Sequence, residues 1–258
     1  MVDQLQTSAP DCIWKGIYPT WDEACKAAKN VGGDGLGGDC WFQRITQQIS
    51  DYRDEFRQYG IAMPPRPRNL PLVCAMTSPK TILDFGGSSG WCWDYLLNSL
   101  PQNRVSYYAV VETDEVVNYM KKSGLHKAPV NYPLNDPLES CDLLYCKSVL
   151  QYLGSNAPLL SLIERTTPQF ILLEDLVVKG EDDFFSVQSF RDSAIPYRFL
   201  GLHKLLQELS HSGYIESLRY PYASPVLGAI KPLEMGNFPE SKQLRYSSNI
   251  LLKKNVDL

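Results

Sequence analysis

The stretch TILDFGGSSGWCWDYL, from Thr81 to Leu96, places a turn rich in glycine and serine between an apolar run and a helical pattern. A strand, turn and helix in this order bring the N-terminus of the helix beside a bound molecule. Gly86, Gly87 and Gly90 let the backbone turn sharply and approach a ligand without Cβ atoms in the way. The spacing alone does not select the ligand, because such turns serve several nucleotide cofactors and some are only tight turns.

The chain from residue 79 onward alternates short β-rich runs with helical stretches. Strands that are buried on both faces and separated by helices form a parallel sheet with right-handed crossovers, which predicts an α/β Rossmann-like fold. No helical stretch separates the last two strands, so we expect them to pair antiparallel. The predicted strands are 81–85, 105–111, 129–134, 142–147, 170–176, 214–220 and 249–254.

Residues 1–78 show a helical and aromatic pattern without any strand-like run. A short helix is predicted over 21–30, and a proline-rich junction covers 63–71. We therefore predict a helical N-terminal cap or lid at 1–78 and a Rossmann-like domain at 79–258. A longer amphipathic helix is predicted from one apolar face made of Trp41, Ile45, Ile49, Tyr52 and Phe56.

Composition excludes several classes of protein. The 258 residues are 44% apolar and carry a net charge of −4, which fits one core with an appendage and gives no basic stripe for nucleic acid. The apolar stretches are short and the N-terminus lacks an export pattern, so we expect a soluble protein. Seven cysteines without a CxxC pair indicate reduced thiols in a cytoplasm. A metal site is not predicted, although Cys12, Cys25 and Cys40 with a histidine are an alternative that we disfavour.

Two features near the turn narrow the ligand. The turn contains no lysine, so the GxxxxGK[ST] pattern of nucleoside triphosphate hydrolysis is missing. Glu112 is the first polar residue after the second strand, where a carboxylate accepts both hydroxyls of a ribose. The alternative for Glu112 is an acid at a helix N-terminus, a role for which Asp114 and Glu115 are equally suited. We favour the ribose interpretation.

The segment DLLYCKSVLQYL, residues 142–153, follows these motifs in the order found in class I S-adenosylmethionine-dependent methyltransferases, and the chain resembles that family. The resemblance implies a seven-stranded sheet whose last strand runs antiparallel between the fifth and sixth. WKGIYPTWDEA, ILDFGGSSG, SVLQYL, Gln188 and AIPYRF further resemble a bacterial methyltransferase family that is often encoded among O-antigen and other surface-polysaccharide genes.

This resemblance implies S-adenosylmethionine as the cofactor and assigns it a set of residues. Asp84 is expected near the methionine ammonium, the three glycines beside the methionine and ribose, and Glu112 at the ribose diol. The remaining expected contacts are Asn135 or Asp136 at the adenine amine, and Lys147 and Ser148 at the methionine part.

Two positions depart from the family pattern. Ser88 replaces the usual third glycine, which a serine backbone tolerates only if its φ stays negative. Lys147 stands where many relatives have a small or amide residue, and its side chain either points away or faces the substrate. Trp91 and Trp93 follow the turn, and each either covers the cofactor or packs the helix on the sheet.

Methyl transfer requires aligned reactants and, for a hydroxyl or amine acceptor, a group that takes a proton. Substrate lies above the carboxyl ends of the strands, which makes Gln151, Tyr152 and Glu174 candidates together with Asp175. Helix caps and surface acids are the equally weighted alternative. His203 has a side chain that ordinarily titrates near neutrality, but it lies beside the apolar face of its helix, which favours a surface histidine.

The insertion 181–200 comes where such enzymes commonly contact substrate. Its Gln188, Arg191, Tyr197 and Arg198 could bind a polar or phosphorylated small molecule, with arginine offering a bidentate fork. The alternative is a solvated loop that packs its phenylalanines on the core. The N-terminal helices would then close over the site as a lid.

The sequence therefore predicts methyl transfer to a small molecule, such as a sugar derivative or secondary metabolite, with the acceptor atom left open. A homodimer is the assembly that we consider. One alternative is a related protein that binds a ligand or partner without methyl transfer, an interpretation kept open by Ser88 and Lys147. Another is an NAD-dependent oxidoreductase, which we disfavour because a strict GxGxxG and a Tyr-Lys or histidine pair are missing.

Overall fold

The computed structural model describes residues 13–32, 38–64, 69–101, 104–124, 130–131, 140–190, 193–222, 225–226, 229–230 and 232–255. Strands are numbered β1 to β12 and helices α1 to α7 in chain order. Searching these ranges for a helix of sufficient length and apolar character to cross a lipid bilayer finds none.

A seven-stranded sheet forms the centre of the molecule. Its strands are β2 (Thr81–Phe85), β3 (Tyr107–Val111), β4 (Val130–Asn131), β5 (Leu143–Lys147), β6 (Phe170–Leu176), β9 (Tyr214–Tyr222) and β12 (Ser247–Lys254). They lie in the order β4-β3-β2-β5-β6-β12-β9. All pairs are parallel except those of β12, which runs antiparallel between β6 and β9. The predicted α/β fold class and its antiparallel closing strand are confirmed.

Helices on both faces cover this sheet, since its strands are apolar on both sides; all five residues of β5 are buried. On one face, the sheet forms a buried cluster with the two helices that directly precede β2 and with the two that flank β3. The other face packs against the helices that precede β6 and β9. Within the described ranges, the helices are α1 (Trp21–Val31), α2 (Asp39–Tyr59), α3 (Leu70–Thr77), α4 (Cys92–Ser99), α5 (Asp114–Ser123), α6 (Ala157–Thr166) and α7 (Leu202–His211).

Helix α2 follows the predicted apolar periodicity, with Ile45, Ile49 and Tyr52 buried. It packs on α4 and α5, where Phe42 stacks on Tyr119 with ring centroids 4.0 Å apart. Because these side chains belong to the same buried cluster as strand residues of the main sheet, α2 is part of the principal core.

A second, three-stranded sheet corrects two predictions. It consists of β1 (Trp14–Tyr18), β7 (Phe184–Phe190) and β8 (Ser193–Phe199), paired antiparallel in the order β1-β7-β8, with α1 packed on β7 and β8. The prediction that residues 1–78 contain no strand is wrong, and the alternative of a solvated loop over 181–200 is wrong as well, because β7 and β8 lie there. Strand β1 is an edge strand in which only Trp14 is buried, so its sequence carries no period-two signal.

Several predicted strands differ from the structure in extent, most of them by one or two residues. The strand expected over 105–111 begins at Tyr107, and of the strand expected over 129–134 only Val130–Asn131 lies within the described residues. A short hairpin of β10 (Pro225–Val226) and β11 (Ala229–Ile230) lies between β9 and β12 in the sequence. The predicted boundary at residue 78 falls between α3 and β2.

Candidate functional site

The glycine turn after β2 leaves no room for side chains at its first two positions. A Cβ atom on Gly86, whose φ is +72°, would lie 2.3 Å from Val149 Cγ2. A Cβ atom on Gly87 would lie 2.4 Å from Asp84 Oδ2. Both distances are far inside van der Waals contact, so the turn can adopt this course only with glycine at these positions. The backbone therefore passes directly over Asp84 and against the segment that follows β5.

Ser88 adopts a left-handed conformation with φ of +56°, which corrects the expectation that its φ is negative. The peptide N–H of Ser88 donates a 2.9 Å hydrogen bond to Glu112 Oε1, and this bond gives the strained conformation a compensating contact. The side-chain hydroxyls of Ser88 and Ser89 are buried and find no hydrogen-bond partner among the described residues. Buried hydroxyls normally have a hydrogen-bond partner, so a ligand bound at the turn could supply the partner for these two.

Asp84 is buried beneath the turn, with 2% of its surface exposed. Its Oδ2 accepts a hydrogen bond from the Tyr108 hydroxyl on the neighbouring strand β3. Burial raises the pKa of Tyr108 well above its ordinary value, and the nearby Asp84 carboxylate raises it further. Tyr108 thus remains a neutral donor that fixes the direction of the Asp84 carboxylate.

Glu112 ends β3 and turns its carboxylate towards the glycine turn. In addition to the Ser88 bond, its Oε2 accepts the N–H of Thr113 at 3.1 Å. Partial burial raises the pKa of Glu112, and the hydrogen bonds from Thr113 and Ser88 oppose that rise. The first turn of α5 holds Asp114 and Glu115, both exposed, so they supply the acidic charge at that helix N-terminus. Each Glu112 oxygen retains a lone pair that could accept a ribose hydroxyl.

Left-handed backbone recurs at the carboxyl ends of β5 and β6. Ser148 has φ of +53° and Asp175 has φ of +55°. The Ser148 hydroxyl donates to Asp175 Oδ2 at 2.6 Å, and the Ser247 hydroxyl donates to Asp175 Oδ1 at 2.7 Å. Together with Ser88 after β2, Ser148 and Asp175 place three of the described non-glycine residues in this conformation at the carboxyl ends of adjacent strands, whereas Ser78 and Thr167 adopt it as the C-caps of α3 and α6. A left-handed residue is ordinary at a helix C-cap, but at a strand end such strain is typical of functional sites and favours this edge of the sheet as the site.

Lys147 and Glu174 pair across β5 and β6. Lys147 Nζ lies 4.0 Å from Glu174 Oε2 and 4.1 Å from the ring centroid of Tyr222, so the lysine does not point away into solvent. Glu174 is fully buried, and its oxygens accept hydrogen bonds from Asn69 and from the Tyr145 hydroxyl. Because its oxygens are already engaged by these donors, the prediction of Glu174 as the proton acceptor is corrected to a structural carboxylate.

The short 3₁₀ helix Leu150–Tyr152 carries two predicted site residues, Gln151 and Tyr152. The Tyr152 hydroxyl donates a 2.9 Å hydrogen bond to Gln188 Oε1 of β7, and the Tyr152 ring packs edge-on against Tyr197 of β8 at 5.4 Å. Gln151 is buried, and its Nε2 donates to the backbone carbonyl of Asp175 at 3.1 Å. The second sheet therefore contacts the segment after β5, beside the carboxyl edge of the main sheet.

Arg198 does not lie where a substrate could reach it, contrary to the prediction. Its side chain is fully buried, and its Nη2 donates to Asn156 Oδ1 and to the carbonyl of Leu150. Its Nη1 lies 3.6 Å from Asp183 Oδ2. Burial lowers the pKa of Arg198, against the opposing effect of Asp183. The guanidinium holds the hairpin β7–β8 to the protein rather than offering a fork to a substrate.

His203 is placed on the surface rather than beside Tyr152. Its side chain is 69% exposed, and its Nδ1 lies 3.9 Å from an equally exposed Glu181. The predicted catalytic role of His203 is therefore corrected to the alternative of a surface histidine at the start of α7.

The two tryptophans after the turn separate. Trp93 is buried in the main core and packs on Tyr108 at 5.7 Å, as the packing alternative predicts. Trp91 is partly buried and packs on Tyr52 of α2 at 5.6 Å.

The predicted contacts Asn135, Asp136 and Arg191 lie outside the described residues. Within the described ranges, no group of three histidine, cysteine, aspartate or glutamate side chains is arranged to hold a metal ion.

Sequence reasoning missed the tyrosines and the asparagine that orient the acids. Tyr108 and Tyr145 lie inside strands between apolar neighbours, and Asn69 precedes α3 more than a hundred residues from Glu174. A hydroxyl inside a buried strand requires a partner, so the tyrosines carried a detectable signal. The partner itself depends on strand order and register, which local sequence does not contain.

No family model matches the sequence, and no curated protein matches it. Several solved structures resemble the fold. One is an S-adenosylmethionine-dependent methyltransferase from Mesorhizobium loti, with 13% identity over 72% of this chain and 97% of that chain and a TM-score of 0.47. Another, from Clostridium acetobutylicum ATCC 824, has 10% identity over 72% of this chain and 89% of that chain, with a TM-score of 0.46.

A third is the Burkholderia thailandensis 1,6-didemethyltoxoflavin-N1-methyltransferase with bound 1,6-didemethyltoxoflavin and S-adenosylhomocysteine. Its identity is 13% over 87% of this chain and 93% of that chain, with a TM-score of 0.46. Similarity at this level identifies neither a reaction nor an acceptor. The function proposed below rests on the residues of the site.

Proposed function

We propose that this protein is an S-adenosylmethionine-dependent methyltransferase that acts on a small molecule, such as a sugar derivative or secondary metabolite. The observation that carries the proposal is the glycine turn, which passes over Asp84 without Cβ atoms and delivers the Ser88 N–H to Glu112. This arrangement lies at the carboxyl ends of β2 and β3, where ligands bind in open α/β sheets.

The residues around the turn suit this cofactor. Glu112 offers acceptor oxygens for a ribose diol, and Asp84 offers a buried carboxylate for an ammonium group. The buried hydroxyls of Ser88 and Ser89, which have no hydrogen-bond partner among the described residues, could also bind the cofactor. When bound, the cofactor supplies an electrophilic methyl group on a sulfonium.

The protein's own part is to align the acceptor and to exclude water. We assign the acceptor side to Tyr152, Gln188 and Tyr197, because these residues meet beside the carboxyl end of β5. Tyr152 is the hydroxyl in this group best placed to hold or relay a proton, with Gln188 fixing its orientation. A cytoplasmic location and a homodimer belong to the same proposal.

The first test is calorimetric titration of the full chain with S-adenosylmethionine, S-adenosylhomocysteine and NAD. We expect micromolar binding of the first two. Glu112→Gln should weaken both by at least about tenfold, because the amide replaces one acceptor oxygen by a donor. Glu115→Gln is the matched control, since it makes the same change three residues away on the exposed turn of α5.

The outcomes separate the candidate functions. Binding of NAD alone would support the oxidoreductase, and binding of none of the three would reject the methyltransferase. Tight binding of S-adenosylmethionine that Glu112→Gln leaves unchanged would move the ribose contact away from Glu112.

A further inference from the structure

A buried ion pair lies beside the expected methionine end of the cofactor site. Lys147 Nζ and Glu174 Oε2 are 4.0 Å apart, and the two side chains are 3% and 0% exposed. Charged side chains are seldom buried this completely unless they are paired, because loss of water penalises each charge. Packing alone therefore does not explain why two charged side chains occupy these buried positions.

The contacts around the pair match a carboxylate and an ammonium. Glu174 Oε1 accepts the backbone N–H and the side-chain amide of Asn69, each at 2.7 Å, and Oε2 accepts the Tyr145 hydroxyl at 2.7 Å. All three groups donate to the Glu174 oxygens. The Lys147 ammonium lies 4.1 Å from the ring centroid of Tyr222, a position that stabilises a cation. As a unit, the pair carries no net charge.

Strand register places the pair on the same face of the sheet as Asp84. Asp84 of β2 is aligned with Tyr145 of β5, and Lys147 is aligned with Glu174 of β6. Residues two positions apart on a strand share a face, so Asp84, Tyr145, Lys147 and Glu174 all lie on one side. Lys147 also ends the strand next to the one that leads into the glycine turn.

From this arrangement we infer that Glu174 neutralises Lys147 so that the site accepts a cationic cofactor, and that the pair sets the relative affinity for S-adenosylmethionine and S-adenosylhomocysteine. The inference rests on the proposed function. S-adenosylmethionine carries a sulfonium charge that S-adenosylhomocysteine lacks. An ammonium without its carboxylate would repel the first ligand specifically, by about tenfold in affinity in a partly dry site. Lys147 and Glu174 are thus specificity-determining residues rather than catalytic ones.

The test is a calorimetric double-mutant cycle on the full chain. S-adenosylmethionine and S-adenosylhomocysteine are titrated separately into the wild type, Glu174→Gln, Lys147→Met and the double variant at one pH and ionic strength. The readout is the ratio of the two affinities, because a general loss of structure weakens both ligands and leaves their ratio unchanged. Thermal unfolding of each variant shows that it is folded.

The expected results have opposite signs for the two single variants. Glu174→Gln removes the negative charge beside the Lys147 ammonium, so the ratio should fall about tenfold against S-adenosylmethionine. Lys147→Met leaves an uncompensated carboxylate that still accepts from Asn69 and Tyr145, so the ratio should rise in favour of S-adenosylmethionine. The double variant removes both charges and should return the ratio to within about threefold of the wild type.

Failure of this inference can be distinguished from failure of the proposed function. If the wild type binds both ligands and neither single variant changes the ratio, the inference is overturned while the proposed function stands. If the wild type binds neither ligand, both are overturned. If Glu174→Gln does not fold, Lys147→Met decides: a rise in the ratio supports the inference and an unchanged ratio overturns it.

Discussion

At the scale of single residues, the ionised form of Glu112 lowers the free energy of unfolding of the ligand-free protein. Burial raises the pKa of this carboxyl group in the folded protein, so ionisation opposes folding. A carboxyl whose pKa is raised on folding stabilises the protein fully below its unfolded pKa, and that stability is lost as the pH rises through the folded pKa. Functional sites commonly keep such residues because the ligand needs the charge.

Glu112→Gln should therefore gain stability relative to the ligand-free wild type as the pH rises, while losing cofactor affinity. The free energy of unfolding, measured by urea denaturation near pH 4 and near pH 7.5, gives the difference between variant and wild type at each pH. That difference should shift in favour of the variant at the higher pH. A difference that does not depend on pH would contradict the assigned cost of ionising Glu112.

At the scale of elements, the hairpin β7–β8 is attached to the main domain through buried polar contacts. Arg198 of β8 donates to Asn156 and to the carbonyl of Leu150, and Gln188 of β7 accepts from Tyr152. The hairpin also receives strand β1 from the start of the described chain. The acceptor side of the proposed site therefore depends on segments that are far apart in sequence.

Arg198→Ala should destabilise the protein by about 2–4 kcal/mol, because it leaves buried acceptors without a donor and creates a cavity. Urea denaturation measures the change. Arg219→Ala is the control: its Nε lies 3.4 Å from Glu216 in an exposed pair, which should contribute less than about 1 kcal/mol. Equal stability of wild type and Arg198→Ala would return Arg198 to the candidates for substrate binding.

At the scale of the whole molecule, the residues before β2 are distributed over two cores. Helix α2 supplies Phe42, Ile45 and Ile49 to the core on one face of the main sheet. Strand β1 supplies Trp14 to the core of the second sheet, where it packs on Phe199 at 5.5 Å. A cap that folds as a separate unit would not contribute side chains to both of these cores.

A chain of residues 79–258 should consequently lose cooperative unfolding, since removal of α2 and α3 uncovers one face of the sheet. Circular dichroism during urea denaturation and binding of a hydrophobic dye measure this loss. A sharp transition in the shortened chain, without dye binding, would instead support the predicted cap as a separate unit.

The sequence by itself determined the features that local pattern encodes. Alternation of apolar runs with helical stretches predicts the α/β sheet, and the missing helix before β12 predicts that β12 pairs antiparallel with β9. The glycines of the turn and the position of Glu112 predict the cofactor side, because both are read within about thirty residues.

Only the tertiary structure decided what the polar side chains do. It gave Glu174 and Arg198 buried partners that lie far away in sequence, and it exposed His203 to solvent. It also paired β1 with β7 across about 170 residues. A charged or hydroxylated side chain has the same local sequence whether it meets substrate, a buried partner or water. Strand order and register settle that choice, because they bring distant residues within hydrogen-bonding distance.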